Sequence, residues 1–262
     1  MSARLEELDY RQTPMGELTL RRRFEPTLKV DVFEVKLGEE YLMSSLFVVA
    51  EEQLAHLGLA AHRDPKRVLV GGLGLGYTAV AALADTRVTS LTVVDALPAV
   101  IGWHERRLLP TSIALVDDPR TTLRRGDFFA LMRAEPTTLF DAVLVDIDHS
   151  TEHQLDPSHA DLYTVDGLTR LARHLAPGGV FALWSDDPPL ASFETALSSV
   201  FPVVASHVVG FDNFLTGGTS TNTVYVASRP SPRVSPSSRS GRVQALAEEG
   251  ENLGRGAAPV PD

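Results

Sequence analysis

The 262-residue chain contains no cysteine, so disulfides, thiolate metal centres and a Cys nucleophile are all excluded. Long apolar runs are missing too, and no stretch reaches the length that spans a bilayer. Residues Met1 to Asp9 are charged and lack the apolar segment of a signal peptide. Positive charge is scarce: 24 Lys and Arg stand against 34 Asp and Glu, a net charge of −10. That argues against nucleic acid as a partner, because phosphate binding needs a basic face. The expectation is a soluble, cytoplasmic protein with no membrane partner.

The composition divides the chain into a flexible N-terminus (1–9), a small β-hairpin unit (10–50), a main domain (51–228) and a tail (229–262). In the hairpin unit, Gly16–Arg21, Leu28–Val35 and Glu40–Met43 alternate apolar and polar residues, the pattern of half-exposed antiparallel strands. In the main domain strand and helix signals take turns. Strands are expected at Arg67–Val70, Ser90–Val94, Thr122–Arg125, Ala142–Val145, Val180–Trp184, Val203–Val209 and Thr223–Ala227. Helices are expected at Glu51–Leu59, Thr78–Leu83, Pro98–Leu108, Phe128–Ala134, Thr164–His174 and Pro189–Val200. Such alternation predicts an α/β fold, a Rossmann-like, mostly parallel sheet with helices on both faces. Pro177-Gly178-Gly179 reads as a sharp turn, and the last two strands as a hairpin adding an antiparallel edge strand. The Pro/Ser/Arg run from Arg229 reads as a disordered tail, with a short helical fragment at Gln244–Glu249.

Function concentrates in Arg67 to Tyr77. A buried strand runs into Gly72, Gly74 and Gly76, and a helix follows. Glycines let such a turn bring its backbone close to a ligand. The next strand ends in Asp95, placed to accept from ribose hydroxyls. Gly126-Asp127-Phe128-Phe129 follows the third strand. There Asp127 can accept from an adenine amino group while Phe128 packs on the ring, although an N-cap role for Asp127 is equally sound chemistry. An adenosine-containing ligand is the common denominator.

Together with Leu37–Met43, Leu109-Pro110, Asp117–Arg120, Phe140–Asp146 and Leu175–Gly179, these motifs resemble the spermidine synthase group. These are polyamine aminopropyltransferases on the S-adenosylmethionine-dependent methyltransferase fold. The resemblance covers roughly residues 10–228 and implies a methyltransferase-type sheet with an antiparallel last strand. It also implies a homodimer, S-adenosylmethionine or its decarboxylated form at Gly72, Gly74, Gly76, Asp95, Asp127 and Phe128, and Asp146 facing the reacting nitrogen. Three positions depart from the family pattern. Gly74 stands where aminopropyltransferases carry an Asp, Met43-Ser44 replaces a Tyr-Gln pair, and His149 replaces the second Asp of an Asp-Ser-Ser-Asp run.

The chemistry expected is alkyl transfer from a sulfonium to a small-molecule, amine acceptor. Asp146 and His149 are the catalytic candidates; Asp148, Tyr163 and Asp186 are the acceptor-binding ones. Gly74 and Met43-Ser44 incline the reading to methyl transfer, with aminopropyl transfer as the alternative. A non-catalytic adenosine-ligand binder and, more remotely, a nicotinamide dehydrogenase complete the field. His149 and His153 share one face if their segment is helical. Asp187 reads either as an acceptor contact beside Asp186 or as the cap of the following helix, with a proline at its first position. No metal is expected, although Asp146 with Asp186 or Asp187 leaves a divalent cation open.

Overall fold

A computed structural model describes residues 5–13 and 15–229, and the structural statements below concern these. The chain opens with a four-stranded antiparallel meander: β1 (Leu5–Thr13), β2 (Gly16–Glu25), β3 (Val30–Leu37) and β4 (Glu40–Ser44). It is larger than the hairpin expected, and β1 begins at Leu5, inside the stretch expected to be flexible. Asp9 explains why: it accepts from the Trp103 indole N–H at 2.7 Å and pairs with Arg106 at 3.0 Å, tying β1 to the main domain.

The main domain carries β5 (Arg67–Gly71), β6 (Ser90–Asp95), β7 (Thr121–Arg125), β8 (Phe140–Val145), β9 (Leu175–Ser185), β10 (Val203–Asn213) and β11 (Gly218–Ser228). Their order in the sheet is β10-β11-β9-β8-β5-β6-β7. The strands from β7 to β9 in this order are parallel, and β11 is antiparallel to both of its neighbours. The last strand is therefore antiparallel, as expected, but it lies between β9 and β10 rather than at the edge. The physical reason is burial: Val224 to Ala227 are apolar on both faces and fill an interior slot, whereas β10 alternates exposed and half-buried residues.

The sheet is covered on both sides by helices α1 (Val49–Ala60), α2 (Tyr77–Ala84), α3 (Pro98–Glu105), α4 (Ser112–Val116), α5 (Phe128–Arg133), α6 (Val165–Ala172) and α7 (Ala191–Val200). Successive strand residues feed opposite cores, as the two-residue period requires. Val68, Val70, Ala142 and Leu144 join α1 to α4 and the meander's Leu18, Leu20 and Val35. Leu69, Val143, Val145 and Phe181 join α5 to α7. Each fully buried Leu, Val or Phe contributes about 1.5–3 kcal/mol, so the meander is welded to the domain by a shared core.

Two local expectations are corrected. Pro177-Gly178-Gly179 does not end a helix–strand turn. It lies within β9, where the register slips between Phe140 opposite Leu175 and Ala142 opposite Val180. Helix α7 starts at Ala191, and its flanking Leu190 makes no side-chain cap, so Asp187 is not its cap. The expected tail 229–262, including Gln244–Glu249, lies outside the described residues except for Arg229, which bonds to Gly179 and Ala172.

Candidate functional site

The sheet order reverses between β5 and β8, and ligands of open α/β sheets bind at such a crevice, beyond the carboxyl ends of the strands. Here the β5 end supplies the glycine turn and the β8 end supplies Asp146. The two chain segments touch: Asp146 N–H donates to Gly71 O at 2.8 Å. Gly72 has φ +90°, and a Cβ there would stand 1.9 Å from the Asp146 carbonyl oxygen. Only glycine fits that position.

Two cavities open at this crevice, of about 280 and 330 Å³. Leu42, Met43, Gly74, Asp146, Ile147 and Leu155 line both, so they form the partition between two halves of one site.

The first half is lined by Gly72, Gly74, Asp95, Asp127 and Phe128; Gly76 lines the second half. Asp95 accepts from Leu73 N–H at 2.9 Å and Leu97 N–H at 2.8 Å. Burial pushes its carboxyl up despite these bonds. Each oxygen keeps a lone pair for a further donor. Asp127 caps α5 by accepting from Ala130 N–H at 3.0 Å, and it lines the cavity at the same time. Phe128 is buried, with Phe129 set edge-on to it.

Behind the glycine turn, sequence reasoning missed His104. It is fully buried, and its Nε2–H donates to Gly74 O at 2.9 Å; burial lowers its pKa, keeping the ring neutral. Thr111 donates to Leu75 O at 2.5 Å. Together they fix two carbonyls of the turn. A lone His within a short helix gives no sequence signal for this role.

The second half is acidic at one side. Asp146 accepts from the Thr78 hydroxyl at 2.7 Å, and burial raises its carboxyl to about 6. Glu51, in the first turn of α1, also lines this half; it was missed because acidic first-turn residues are common on any helix. Burial, and then the Asp146 charge, push Glu51 up to about 8. Its Oε2 is buried without a partner. Asp186 lines the same half and accepts from Asn222 at 2.6 Å.

Other candidates fall elsewhere. His149 lines the second half, but its Nε2–H donates to Glu40 at 3.0 Å rather than to Asp146. Asp148 and Tyr163, expected to touch the acceptor, line neither half. Asp148 is 2% exposed and takes the Tyr163 hydroxyl at 2.7 Å, His159 Nδ1–H at 2.8 Å and Leu155 N–H at 2.8 Å. His159 in turn stacks on Phe129 with ring centroids 3.7 Å apart. Asp148 thus anchors the Leu155–His159 segment, which walls the first half. The 149–153 segment is not helical, and His153 donates to Asp187 at 3.2 Å. Among the described residues, no three His, Asp or Glu side chains are grouped to hold a metal ion.

The sequence profile described as Spermine/spermidine synthase domain matches residues 47–218. Polyamine aminopropyltransferase 2 of Pseudomonas aeruginosa is 31% identical over 170 residues, 63% of this chain and 48% of that protein. Putrescine N-methyltransferase 2 of Nicotiana tabacum is 31% identical over 129 residues, 49% of this chain and 35% of that protein. The chain thus spans half or less of the length of these two relatives. Among solved structures, a spermidine synthase in complex with the transition state analogue AdoDATO superposes with a TM-score of 0.68 at 20% identity, covering 87% of this chain and 75% of the other. Human methyltransferase-like protein 13 in complex with SAH gives 0.52 at 17% identity, covering 71% and 84%. These two likenesses speak for the fold.

Proposed function

We propose, from the premise that this chain belongs to the spermine/spermidine synthase family, that it transfers an alkyl group from an S-adenosylmethionine-type sulfonium donor to a small amine. The observation that carries this reading is the position of Asp146, a buried carboxyl on the partition between a half lined by Gly72, Asp95, Asp127 and Phe128 and an acidic half.

The residues of the first half suit the donor. Gly72 and Gly74 give close backbone approach, Asp95 has lone pairs for ribose hydroxyls, and Asp127 with Phe128 offers an acceptor and a ring face. The donor supplies an electrophilic carbon. An amine attacks only as the free base, so the protein must take a proton from it. Asp146 is suited to this. With its affinity for a proton raised towards neutrality by burial, it is ionised at pH 7 yet a better base than a surface carboxylate. The Thr78 hydroxyl holds one of its oxygens and leaves the other for the amine. His149, tied to Glu40, positions the cavity rim in this reading. The substrate is a small molecule.

Within this reading methyl transfer is favoured, because Gly74 offers no carboxylate to the donor's tail and Met43 lies over it. The putrescine N-methyltransferase relative supports the same choice. Aminopropyl transfer is the second reading, favoured by the Pseudomonas relative. Incubation with each donor and an amine, with mass detection of the nucleoside product, separates them. S-adenosylhomocysteine supports methyl transfer and methylthioadenosine the alternative. Neither product with any amine overturns both.

A further inference from the structure

His159 is tied down at one ring nitrogen and open at the other. Its Nδ1 lies 2.8 Å from Asp148 Oδ1. A carboxylate only accepts, so the proton sits on Nδ1. Asp148 is itself fixed, because the Leu155 N–H and the Tyr163 hydroxyl also donate to it. The imidazole stacks on Phe129, with centroids 3.7 Å apart and planes 11° from parallel. Both the plane of the ring and its rotation within that plane are therefore set.

Asp148 lies outside the first half of the site, whereas His159 lines it. The ring thus gives its Nδ1 edge to Asp148 and its Nε2 edge to the cavity. Among the described residues Nε2 has no hydrogen-bond partner. With the proton on Nδ1, the neutral ring carries a lone pair there, so Nε2 is an acceptor. Phe129 lines the same cavity beside Phe128 and Asp127. Asp127 spends one lone pair on Ala130 N–H and keeps others. This part of the wall combines two acceptors with aromatic ring faces, and an exocyclic amino group on a purine has two N–H donors.

We infer that His159 reads the nucleobase: its Nε2 accepts one N–H of the adenine amino group while Asp127 accepts the other, so the site takes 6-amino purines and rejects 6-oxo purines. The inference rests on the reading of this half as the donor's. A 6-oxo purine would bring a carbonyl oxygen to two acceptors and leave both without a donor. Asp148 is then a positioning residue, since it fixes the tautomer that makes Nε2 an acceptor.

The test is calorimetric titration of the full chain with S-adenosylhomocysteine and with S-inosylhomocysteine. The adenosyl compound is expected to bind about a hundredfold more tightly. His159→Asn retains a donor for Asp148, and His159→Phe retains a ring on Phe129. Neither has an acceptor where Nε2 stands. Each should lose about tenfold in affinity for S-adenosylhomocysteine and no more than about twofold for S-inosylhomocysteine. If one variant does not fold, the other decides. A purely structural role would weaken both ligands equally, so an unchanged ratio in a folded variant overturns the inference. A wild-type chain that binds the two compounds equally overturns it as well. A chain that binds neither overturns the donor reading, and the inference falls with it.

Discussion

The Met43 sulfur lies 2.9 Å from the point that a Cβ on Gly74 would occupy. These are two of the three positions that depart from the family pattern, and in the fold they are neighbours: a thioether from β4 covers the place where an acid would emerge. Aspartate at 74 would have to adopt φ +47°, a left-handed conformation costing roughly 1–2 kcal/mol, and push the methionine aside. Gly74→Asp alone is therefore expected to weaken donor binding. Combined with Met43→Ala, which clears the space, it should shift preference towards decarboxylated S-adenosylmethionine by about tenfold, the size of one charge-assisted hydrogen bond. Competition between the two donors measures this, and an unchanged ratio in the double variant contradicts it.

Gly72 gives a contrasting outcome. A Cβ at 72 meets backbone, the Asp146 carbonyl, and no rotamer relieves that clash. Gly72→Ala is expected to cost about 3 kcal/mol or more, or to prevent folding. Gly74→Ala meets only the flexible end of Met43 and should cost about 1–2 kcal/mol, mostly for the left-handed backbone. Urea melts of the two variants side by side test the ranking; equal losses would show that the β5–β8 contact does not constrain the turn.

Glu51 and Asp146 make stability depend on pH in a defined direction. Both carboxyls hold their protons more tightly in the folded chain, near 8 and near 6, than the unfolded values near 4. Between about pH 4 and pH 8 the folded state therefore binds more protons than the unfolded one, and stability falls as pH rises through this window. Glu51→Gln removes the larger share of the penalty. It should be close to neutral at pH 5 and stabilising by on the order of 3 kcal/mol at pH 9, each tenfold change in proton affinity being worth about 1.4 kcal/mol. Urea midpoints at the two pH values read the effect, and parallel pH profiles for wild type and variant would refute it.

Asp148 separates a wall-building role from an acceptor-binding one. Asp148→Ala strips partners from Tyr163, His159 and Leu155 and should cost about 3 kcal/mol. The loosened Leu155–His159 segment should weaken S-adenosylhomocysteine binding more than amine binding, since of that segment only Leu155 reaches the second half. A selective loss of amine affinity would restore the role expected from the sequence.

The central strands β5, β6 and β8 were legible because they are short, largely apolar runs that alternate with helical segments. That Gly72, Asp95 and Asp127 line one cavity was legible for a related reason: each sits at or just past a strand end, a place fixed by topology. Residues on helices and loops were harder to place. Glu51 faces the cavity because α1 packs across β8, β9 and β11, and Asp148 turns inward because three donors wait for it. Neither fact is local, so no window of sequence contains it. The slot taken by β11 was equally hidden, since pairing partners are set by burial across the whole sheet.

That slot has a consequence for how the protein is made. β10 reaches the sheet only through β11, and β11 supplies Asn222 to the acidic half while β10 supplies Phe211. On the ribosome, every residue that lines the first half is synthesised before the strand that completes the other wall. A nascent chain that ends before β11 therefore contains every lining residue of the first half and lacks Asn222 of the second.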